Sequence, residues 1–438
     1  MRKILFTIAA LMAMTTGASA QKLTLQECLM KGLENNYSLR ISRNKEQIAH
    51  NNATLANAGY LPSLDLNAGY NASLSSSDSK MRSTGETQEV RNSLDQGLNA
   101  GIGLSWTIFD GFNISTNYKQ LKELERMGET NTRITIEDFI ANLTAEYYNF
   151  IQQRLRLANY YYAVRLSKER LRIVEERYNI GNFSRLDYQQ AKVDFNADSA
   201  QYIKQQEIVL TSRIALNELM AIEEVYTPIE TAETAIVADT TFLFNDLWNN
   251  MLQHNAELLY AEQNNTMAQL DYKKVLSRNY PYVRLNAGYD YSFNKYDTNS
   301  YTRRSNWGGS AGVTVGFNLW DGNRRREKRN AKIEIANAEL QRNQLELALK
   351  AELGNLWQAY RNNIQLLNLE KQNVVTAREN HEIAKERYML GDISGIEMRE
   401  AQKSLLDAEE RLISVEYQTK LCEISLLQIS GDASNYLK

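Results

Sequence analysis

Strict alternation between apolar and polar residues marks four segments of the chain. In 63–74 the even positions hold Leu, Ala and Tyr, whereas the odd positions hold Ser, Asp, Asn and Gly. The same alternation returns in 98–108, 283–294 and 311–319. A period of two is typical of a β-strand with one apolar and one polar face. A tilted strand of about 12 residues is also long enough to cross a lipid bilayer.

Seven-residue repeats of apolar residues dominate the segments that follow each pair of strands. They run through 113–180 and 185–221 in the first half of the chain and through 324–390 in the second half, where His381 is a polar member of the series. A heptad repeat is typical of helices that supercoil around a neighbour, and a helix of about 67 residues is about 100 Å long. We therefore predict two long antiparallel helical hairpins, the second of which returns along 396–429.

Shorter elements complete each half. A helix is predicted at 25–59 and another at 245–278. Each is followed by a proline, Pro62 or Pro281, which opens a strand because proline disfavours helical backbone in the residue before it. The Ser-rich segment 75–96 is predicted to be a polar connection between the first two strands.

The chain contains this arrangement twice. Leu66-Asn67-Ala68-Gly69-Tyr70 recurs as Leu285-Asn286-Ala287-Gly288-Tyr289, and Phe109-Asp110-Gly111 recurs as Trp320-Asp321-Gly322. Such self-similarity indicates two copies of one architecture. The predicted boundaries are 1–20 for a signal peptide, 21–221 for the first repeat (strand hairpin 61–109, helical hairpin 113–221), 222–243 for a connector, 244–430 for the second repeat (strand hairpin 281–320, helical hairpin 324–430) and 431–438 for a tail.

The charged and apolar residues at the N-terminus indicate where the protein is located. Arg2 and Lys3, the short apolar run 4–14 and the small residues Ala18-Ser19-Ala20 together predict a secretory signal peptide that is cleaved before Gln21. Beyond it there is no run of about 18 apolar residues, so no transmembrane helix is predicted. The net charge of -3 gives no indication of a nucleic-acid partner.

Four strands are too few to close a barrel, because the smallest membrane barrels have about 8 strands. An open strand edge in lipid leaves backbone groups unpaired at several kcal/mol each. We therefore expect several copies of the chain to assemble, with apolar strand faces toward membrane lipid and polar faces toward a water-filled pore. A soluble sheet packed on a core is the alternative, although no other apolar element is available to cover these strands. The aromatic residues near the predicted strand ends, where aromatic girdles lie, are Tyr60, Trp106, Tyr280, Tyr282, Trp307 and Trp320.

This order of elements, present twice, resembles the TolC-like outer membrane efflux proteins. The resemblance covers nearly all of the chain after the signal peptide and includes two similar helical tips, 178–187 and 388–397. It implies a homotrimer whose chains contribute four strands each to a 12-stranded β-barrel in the outer membrane, with a helical α-barrel tunnel that extends into the periplasm. The implied partners are a periplasmic adaptor (membrane fusion protein), an inner-membrane pump of the RND, ABC or MFS type, and membrane lipid.

The same resemblance implies site residues at the tips. Glu397 and Glu400 match the acidic pore constriction of the family, and their spacing of three places both on one helix face. Asp187 and Tyr388 match a pair that can hydrogen-bond between neighbouring coiled coils and hold the tip closed. Some relatives have an arginine that provides a second restraint on the tip. This chain has Ile393 at that position, so the second restraint is absent here. The residues expected to form the tip turns and to contact the adaptor are Gly181, Asn182, Ser184, Gly391, Asp392 and Ser394.

No constellation of residues predicts an enzyme, a metal site or a cofactor. His50, His254 and His381 are scattered and lack the spacing of metal ligands. Export permits a disulfide between Cys28 and Cys422, and two ordinary buried thiols are the alternative.

Two functions are compatible with these patterns. The first is a passive exit channel of a tripartite efflux or type I secretion system. The second is a structural coiled-coil rod of the cell envelope with a small β-anchor. A rod needs no polar pore, so the polar faces of the strands favour the channel. The sequence does not identify the transported substrate.

Overall fold

A computed structural model describes residues 21–298 and 301–437 of the chain. The predicted signal peptide lies outside the described residues. The strands are β1 (Gln21–Leu23), β2 (Ser63–Lys80), β3 (Thr87–Asp110), β4 (Ile229–Thr231), β5 (Tyr282–Lys295) and β6 (Arg303–Gly316). The helices are α1 (Leu25–Asn35), α2 (Tyr37–Asn52), α3 (Leu55–Ala58), α4 (Asn113–Asn179), α5 (Arg185–Leu219), α6 (Phe244–His254), α7 (Ala256–Ser277), α8 (Arg324–Leu390) and α9 (Gly395–Ile429). A short 3-10 helix, Ala433–Leu437, follows them.

The two long helical hairpins are confirmed. We call α4 with α5 the first long hairpin, and α8 with α9 the second. Helices α4 and α8 have 67 residues each, and α5 and α9 have 35 each. The duplication is thus exact in the lengths of these elements. Within the described residues, no helix combines the length and the apolar character that crossing a membrane requires.

Strands β2, β3, β5 and β6 form one antiparallel sheet in that order. The repeated motif lies on β2 and β5, which flank β3 on its two sides. Leu66 and Tyr289 are therefore both paired with Ile102, and this row is apolar and exposed. The adjacent row, on the opposite face, contains Asn67, Gly101, Asp290 and Gly308. The predicted separation into an apolar and a polar face is present across the sheet.

The strands of the first hairpin are longer than the alternation predicts. The segment 75–96 was expected to be a polar connection, but β2 continues to Lys80 and β3 begins at Thr87. The pairing shifts between Ser75 and Ser77, where the register contains a bulge. Antiparallel pairing depends on backbone hydrogen bonds, so a Ser-rich stretch can extend a hairpin although its side chains carry no period-two signal.

The predicted helices 25–59 and 245–278 are both interrupted by asparagine. Asn36 separates α1 from α2, and its side-chain oxygen accepts a hydrogen bond from the backbone N–H of Ser38 at 2.9 Å. Asn255 separates α6 from α7 and accepts from the N–H of Leu258 at 3.0 Å. An asparagine oxygen that bonds to the backbone starts a new helix within an apolar pattern that continues past it.

The structure divides into two compact units. The first contains the described residues up to Asn44, Thr130–Leu259 and the described residues from Gln344 onward, and the second contains Lys45–Glu129 and the described part of Tyr260–Asn343. Each unit takes segments from both halves of the sequence. The first unit holds both apolar cores and a short parallel sheet. In this sheet β4, which belongs to the 222–243 connector, pairs with β1. The second unit holds the four-stranded sheet.

Candidate functional site

The tips of the two long hairpins have the same backbone design. Gly181 and Gly391 adopt φ angles of +80° and +88°, which a residue with a side chain rarely adopts. The N–H of Gly181 donates to the carbonyl of Tyr178 at 3.0 Å, and the N–H of Asn182 donates to that of Arg177 at 2.8 Å. Equivalent bonds close α8 at the second tip. This pattern ends both helices in the way that glycine favours.

Each return helix begins with a capping box. Ser184 caps α5, and the Asp187 carboxylate accepts from the Ser184 N–H at 3.1 Å and from its hydroxyl at 2.7 Å. Ser394 caps α9, and the Glu397 carboxylate accepts from the same two groups at 2.7 and 2.8 Å. The backbone and hydroxyl donors of Ser394 hold the pKa of Glu397 below its usual range. Two predicted site residues, Asp187 and Glu397, thus also stabilise the tips.

Glu397 and Glu400 are both exposed and lie on one face of α9. Within the described residues neither carboxylate forms an ion pair, and the Glu397 carboxylate accepts hydrogen bonds from Ser394. Their two carboxylates therefore present negative charge to solvent at the start of the helix. The other predicted tip residues, Asn182, Ser184, Asp392 and Ser394, are exposed as well.

Tyr388 is buried, with 3% of its surface exposed, and its hydroxyl has no hydrogen-bond partner within the described residues. Burial raises the pKa of Tyr388, and the guanidinium of Arg177 acts in the opposite direction. In this chain Tyr388 and Asp187 do not bond to each other. The Asp187 carboxylate is occupied by its own cap, although its charge contributes to the raised pKa of Tyr388.

Arg177 is a contact between the tips that the sequence did not predict. Its guanidinium lies 5.3 Å from the ring centre of Phe183 and 5.7 Å from that of Tyr388, and it donates to the carbonyl of Met389 at 3.1 Å. An arginine on an aromatic face gains from both stacking and charge. Arg177 of the first long hairpin therefore donates a hydrogen bond to the backbone of the second and contacts one of its aromatic rings.

A second group of charges joins the two long hairpins farther along the return helices. Arg399 of α9 donates to both oxygens of Asp198 on α5, at 2.8 and 2.9 Å. Its neighbour Asp194 lies 4.0 Å from Arg399 and is paired with the buried Arg170 of α4. The sequence gives no local signal for this group, because the partners lie on different helices and each helix carries many charges.

The tips also expose large apolar side chains, which sequence reasoning missed. At the first tip these are Ile180 and Leu186, and at the second they are Met389, Leu390 and Ile396. Runs of apolar residues beside a glycine break could have identified them. Exposed apolar groups that are rimmed by polar residues are typical of surfaces that bind another protein.

Aromatic residues gather where the sheet meets the helices. Trp106 donates its indole N–H to the carbonyl of Tyr60 at 2.9 Å, and Phe112 packs edge-to-face on Tyr280. Trp307 is the fifth residue of β6 and lies opposite Tyr291. Strand β6 begins earlier than the alternation suggests because Arg303–Asn306 pair through their backbone with β5.

Among the described residues, no group of three or more His, Cys, Asp or Glu side chains is arranged to hold a metal ion. Cys28 and Cys422 are both free thiols and lie beside different apolar cores. Of the two alternatives left by the sequence, two separate thiols describe this structure, with Cys28 buried and Cys422 partly exposed.

Residues 29–221 and 247–432 match the outer membrane efflux protein family. The chain belongs to this family. It is 23% identical over 447 residues to the outer membrane protein TolC of Vibrio cholerae, and this match spans 99% of the chain and 96% of that protein.

Solved structures share the fold of this efflux family protein. The CmeC outer membrane channel of Campylobacter jejuni has a TM-score of 0.78 at 15% identity and covers 93% of this chain and 86% of its own. The outer membrane protein VceC of Vibrio cholerae has a TM-score of 0.74 at 16% identity, with 93% and 96% covered. Family membership places the protein in the outer membrane and makes it a transport protein rather than an enzyme.

Proposed function

We propose that the protein is the outer membrane channel of a tripartite efflux or type I secretion system. It passively conducts substrates from a periplasmic adaptor and an inner-membrane pump to the exterior. The observation that carries the proposal is the four-stranded sheet, which has an exposed apolar face, a polar face and two unpaired edges, β2 and β6. The named relatives TolC and CmeC, an outer membrane protein and an outer membrane channel, support it.

Three copies of the chain form the channel. The free edges of β2 and β6 then pair between copies, and four strands from each of three chains give a closed barrel of 12. Closure removes the unpaired backbone groups that lipid does not tolerate. The apolar row that contains Leu66 and Ile102 faces lipid, and the row that contains Asn67 and Asp290 lines the pore.

Glu397 and Glu400 form the constriction of the proposed channel. Threefold symmetry places six carboxylates around the axis at the start of α9. The bonds from Ser394 favour the ionised form of Glu397, so this ring remains negative and attracts cations. Tyr388 and Asp187 take part in holding the resting tip closed to large substrates, although potassium ions still pass, together with the Arg177 contact.

The adaptor docks on the two tips. Polar contacts come from the residues around Gly181 and Gly391, and the exposed apolar side chains there, Leu186 and Ile396 among them, supply the area that is buried on binding. A periplasmic adaptor that presents a helical hairpin would pack on these tips as one coiled coil on another.

The test is reconstitution of the purified full-length chain into potassium-loaded vesicles. We expect native mass spectrometry to give a trimer and an ion-selective electrode to record potassium release. Release should be absent when Asp290 and Asn67 are replaced by bulky tryptophan, while the trimer remains. A monomer, or a trimer that releases no potassium, would contradict the proposal and favour a structural rod.

A further inference from the structure

A dense cluster of positive charge lies at the start of α8. Between residues 324 and 332 the chain has six Lys or Arg side chains and one Glu, a net charge of +5 in a protein whose net charge is -3. Five of the six are exposed: Arg325, Arg326, Lys328, Arg329 and Lys332. We call these five residues the basic cluster. The one acid, Glu327, is paired with Arg278.

The basic cluster is unfavourable for the helix that carries it. The N-terminus of a helix already has a partial positive charge, so cations in the first turns are repelled. Arg325 and Arg329, and likewise Lys328 and Lys332, are like-charged pairs four residues apart, which destabilise a helix. None of these four residues makes an ion pair within the described part of the chain. An anionic partner from outside the chain would therefore offset their mutual repulsion.

The first repeat shows that the turn itself does not need these charges. Asp110-Gly111 and Asp321-Gly322 occupy the same place, after a strand and before a 67-residue helix. The positions of α4 that correspond to the basic cluster are all uncharged: Ile114, Ser115, Asn117, Tyr118 and Leu121. The same element forms without the basic residues, so their role is specific to the second repeat.

The residues just before the cluster are apolar and exposed. Leu319 and Trp320 lie between the end of β6 and the start of α8 and expose 88% and 85% of their surface. Tryptophan is enriched at membrane–water interfaces. Segment 316–332 contains, in order, the end of a strand of the proposed barrel, an exposed tryptophan and a basic helix. This order matches the membrane core, its interface and the layer of headgroup phosphates.

We propose that the basic cluster binds anionic phospholipid headgroups at the end of the barrel where the helices begin, with Leu319 and Trp320 inserted beside them. This inference rests on the proposed membrane position of the sheet. Basic segments at a membrane surface gain affinity with each Lys or Arg, and the attraction falls off within a Debye length. The contact also relieves the repulsion within the first turns of α8.

The first comparison is of lipid retention by three full-length proteins reconstituted into vesicles of phosphatidylethanolamine with one quarter phosphatidylglycerol. They are the wild type, a cluster variant (Arg325→Gln, Arg326→Gln, Lys328→Gln and Arg329→Gln) and a matched control with four exposed lysines replaced elsewhere (Lys168→Gln, Lys192→Gln, Lys204→Gln and Lys403→Gln). After mild extraction, the wild type and the control should retain phosphatidylglycerol severalfold above its share in the vesicle. The cluster variant should retain only the bulk share, and molar salt should reduce the wild type to the same level. A charge-preserving variant (Arg325→Lys, Arg326→Lys and Arg329→Lys) should behave like the wild type.

The bulk share of phosphatidylglycerol on the wild type, or an equal loss in the control, would overturn the proposal. Dissociation of the cluster variant's oligomer in vesicles of phosphatidylethanolamine alone would also overturn the proposal. It would show that the basic cluster pairs with protein rather than with anionic lipid. Potassium release from the same vesicles separates this proposal from the channel. Release without lipid enrichment overturns only the lipid site, whereas enrichment without release supports the lipid site and counts against the channel.

Discussion

Arg399 donates one hydrogen bond to each carboxylate oxygen of Asp198, at 2.8 and 2.9 Å, and so joins the second long hairpin to the first. The pair is partly buried, since 26% of the Arg399 side chain and 12% of that of Asp198 are exposed. Bidentate arginine–carboxylate pairs are stronger and more directional than simple ion pairs. This geometry makes the pair a structural restraint between the return helices α5 and α9.

Replacing Arg399 by Gln or Asp198 by Asn should loosen this restraint. We expect each substitution to cost about 1 kcal/mol of local stability, which raises amide hydrogen exchange in the return helices about fivefold. The double variant should cost little more than either single one, because the two residues share one interaction. The pair Arg378–Glu409, which lies within the second long hairpin and whose arginine side chain is 64% exposed, is the control and should change exchange much less. Additive effects of Arg399→Gln and Asp198→Asn would show that they do not act together.

His381 should make the stability of α8 depend on pH. Its ring is fully buried, and the nearest carboxylate, that of Glu382, lies 3.5 Å from Nδ1. Burial lowers the pKa of His381 below its usual value and outweighs the effect of Glu382. The unfolded state therefore takes up a proton before the folded state does, so stability is full above the usual histidine pKa of about 6.5 and falls as the pH drops below it.

The measurement is amide exchange of α8 and α9 between neutral and mildly acidic pH, corrected for intrinsic exchange rates. Exchange in the wild type should become faster toward acidic pH. His381→Leu, which suits a heptad core position, should remove this dependence. A pH dependence that His381→Leu retains would assign it to other groups.

Glu423 is the centre of a buried polar cluster in the first unit. Its carboxylate accepts from Lys420 at 2.7 Å, from the hydroxyl of Tyr436 at 2.7 Å and from the backbone N–H of Asp239 at 2.8 Å. Removing one partner of a buried ion pair leaves an uncompensated charge at a cost of about 3 kcal/mol or more. Glu423→Gln should therefore lower the thermal midpoint by several degrees.

The matched control for this substitution is Glu409→Gln, which removes the carboxylate of a pair that is more exposed than Lys420–Glu423, since its Arg378 side chain is 64% exposed. It should change the midpoint little. Combining Glu423→Leu with Lys420→Met should recover part of the loss, because no buried charge then remains. Equal midpoints for Glu423→Gln and Glu409→Gln would refute the structural role of the cluster.

The two cysteines should remain free thiols in the exported protein. Burial raises the pKa of Cys28 to about 12, and burial also raises that of Cys422. A thiol that is protonated and buried reacts slowly. At mildly alkaline pH, we expect mass spectrometry to find Cys28 unmodified by an alkylating agent until the protein is unfolded, and a reductant should leave the thermal midpoint unchanged. An intact mass lower by two hydrogens would reveal a disulfide instead.

The parts of the fold that the sequence predicts are those with a periodic signal. Apolar alternation located β2, β3 and β5 in large part, but only the last part of β6, which ends at Gly316 rather than Leu319. Heptads located the long helices to within a few residues. The extension of the first strand hairpin by Ser-rich segments was missed because hydrogen bonds between backbones leave no pattern in the side chains. The breaks at Asn36 and Asn255 were missed because in each case one side-chain oxygen starts a new helix within an apolar pattern that continues past it.

The candidate site was predictable only in part. Gly181 and Gly391 stood out because their turns need positive φ angles, and both are confirmed in that role. The contacts of Arg177 and Arg399 bring together residues that are about 200 positions apart in the sequence. No local spacing of residues therefore predicts these contacts. Glu397 was predicted from its match to the acidic constriction of the family, and the structure adds that its carboxylate caps α9.

A pore lined at its narrow end by Glu397 and Glu400 should conduct ions across a bilayer. The direct test is single-channel recording of the purified protein in a planar bilayer under a potassium chloride gradient. Glutamine preserves the cap that residue 397 makes, so Glu397→Gln with Glu400→Gln removes charge without unwinding the helix, and Glu379→Gln with Glu386→Gln is the control on α8. We predict a cation-selective current in the wild type and in the control, and a reversal potential shifted toward zero in the Glu397→Gln, Glu400→Gln variant. The absence of current from a folded trimer, or a reversal potential that is the same in all three proteins, would contradict the account.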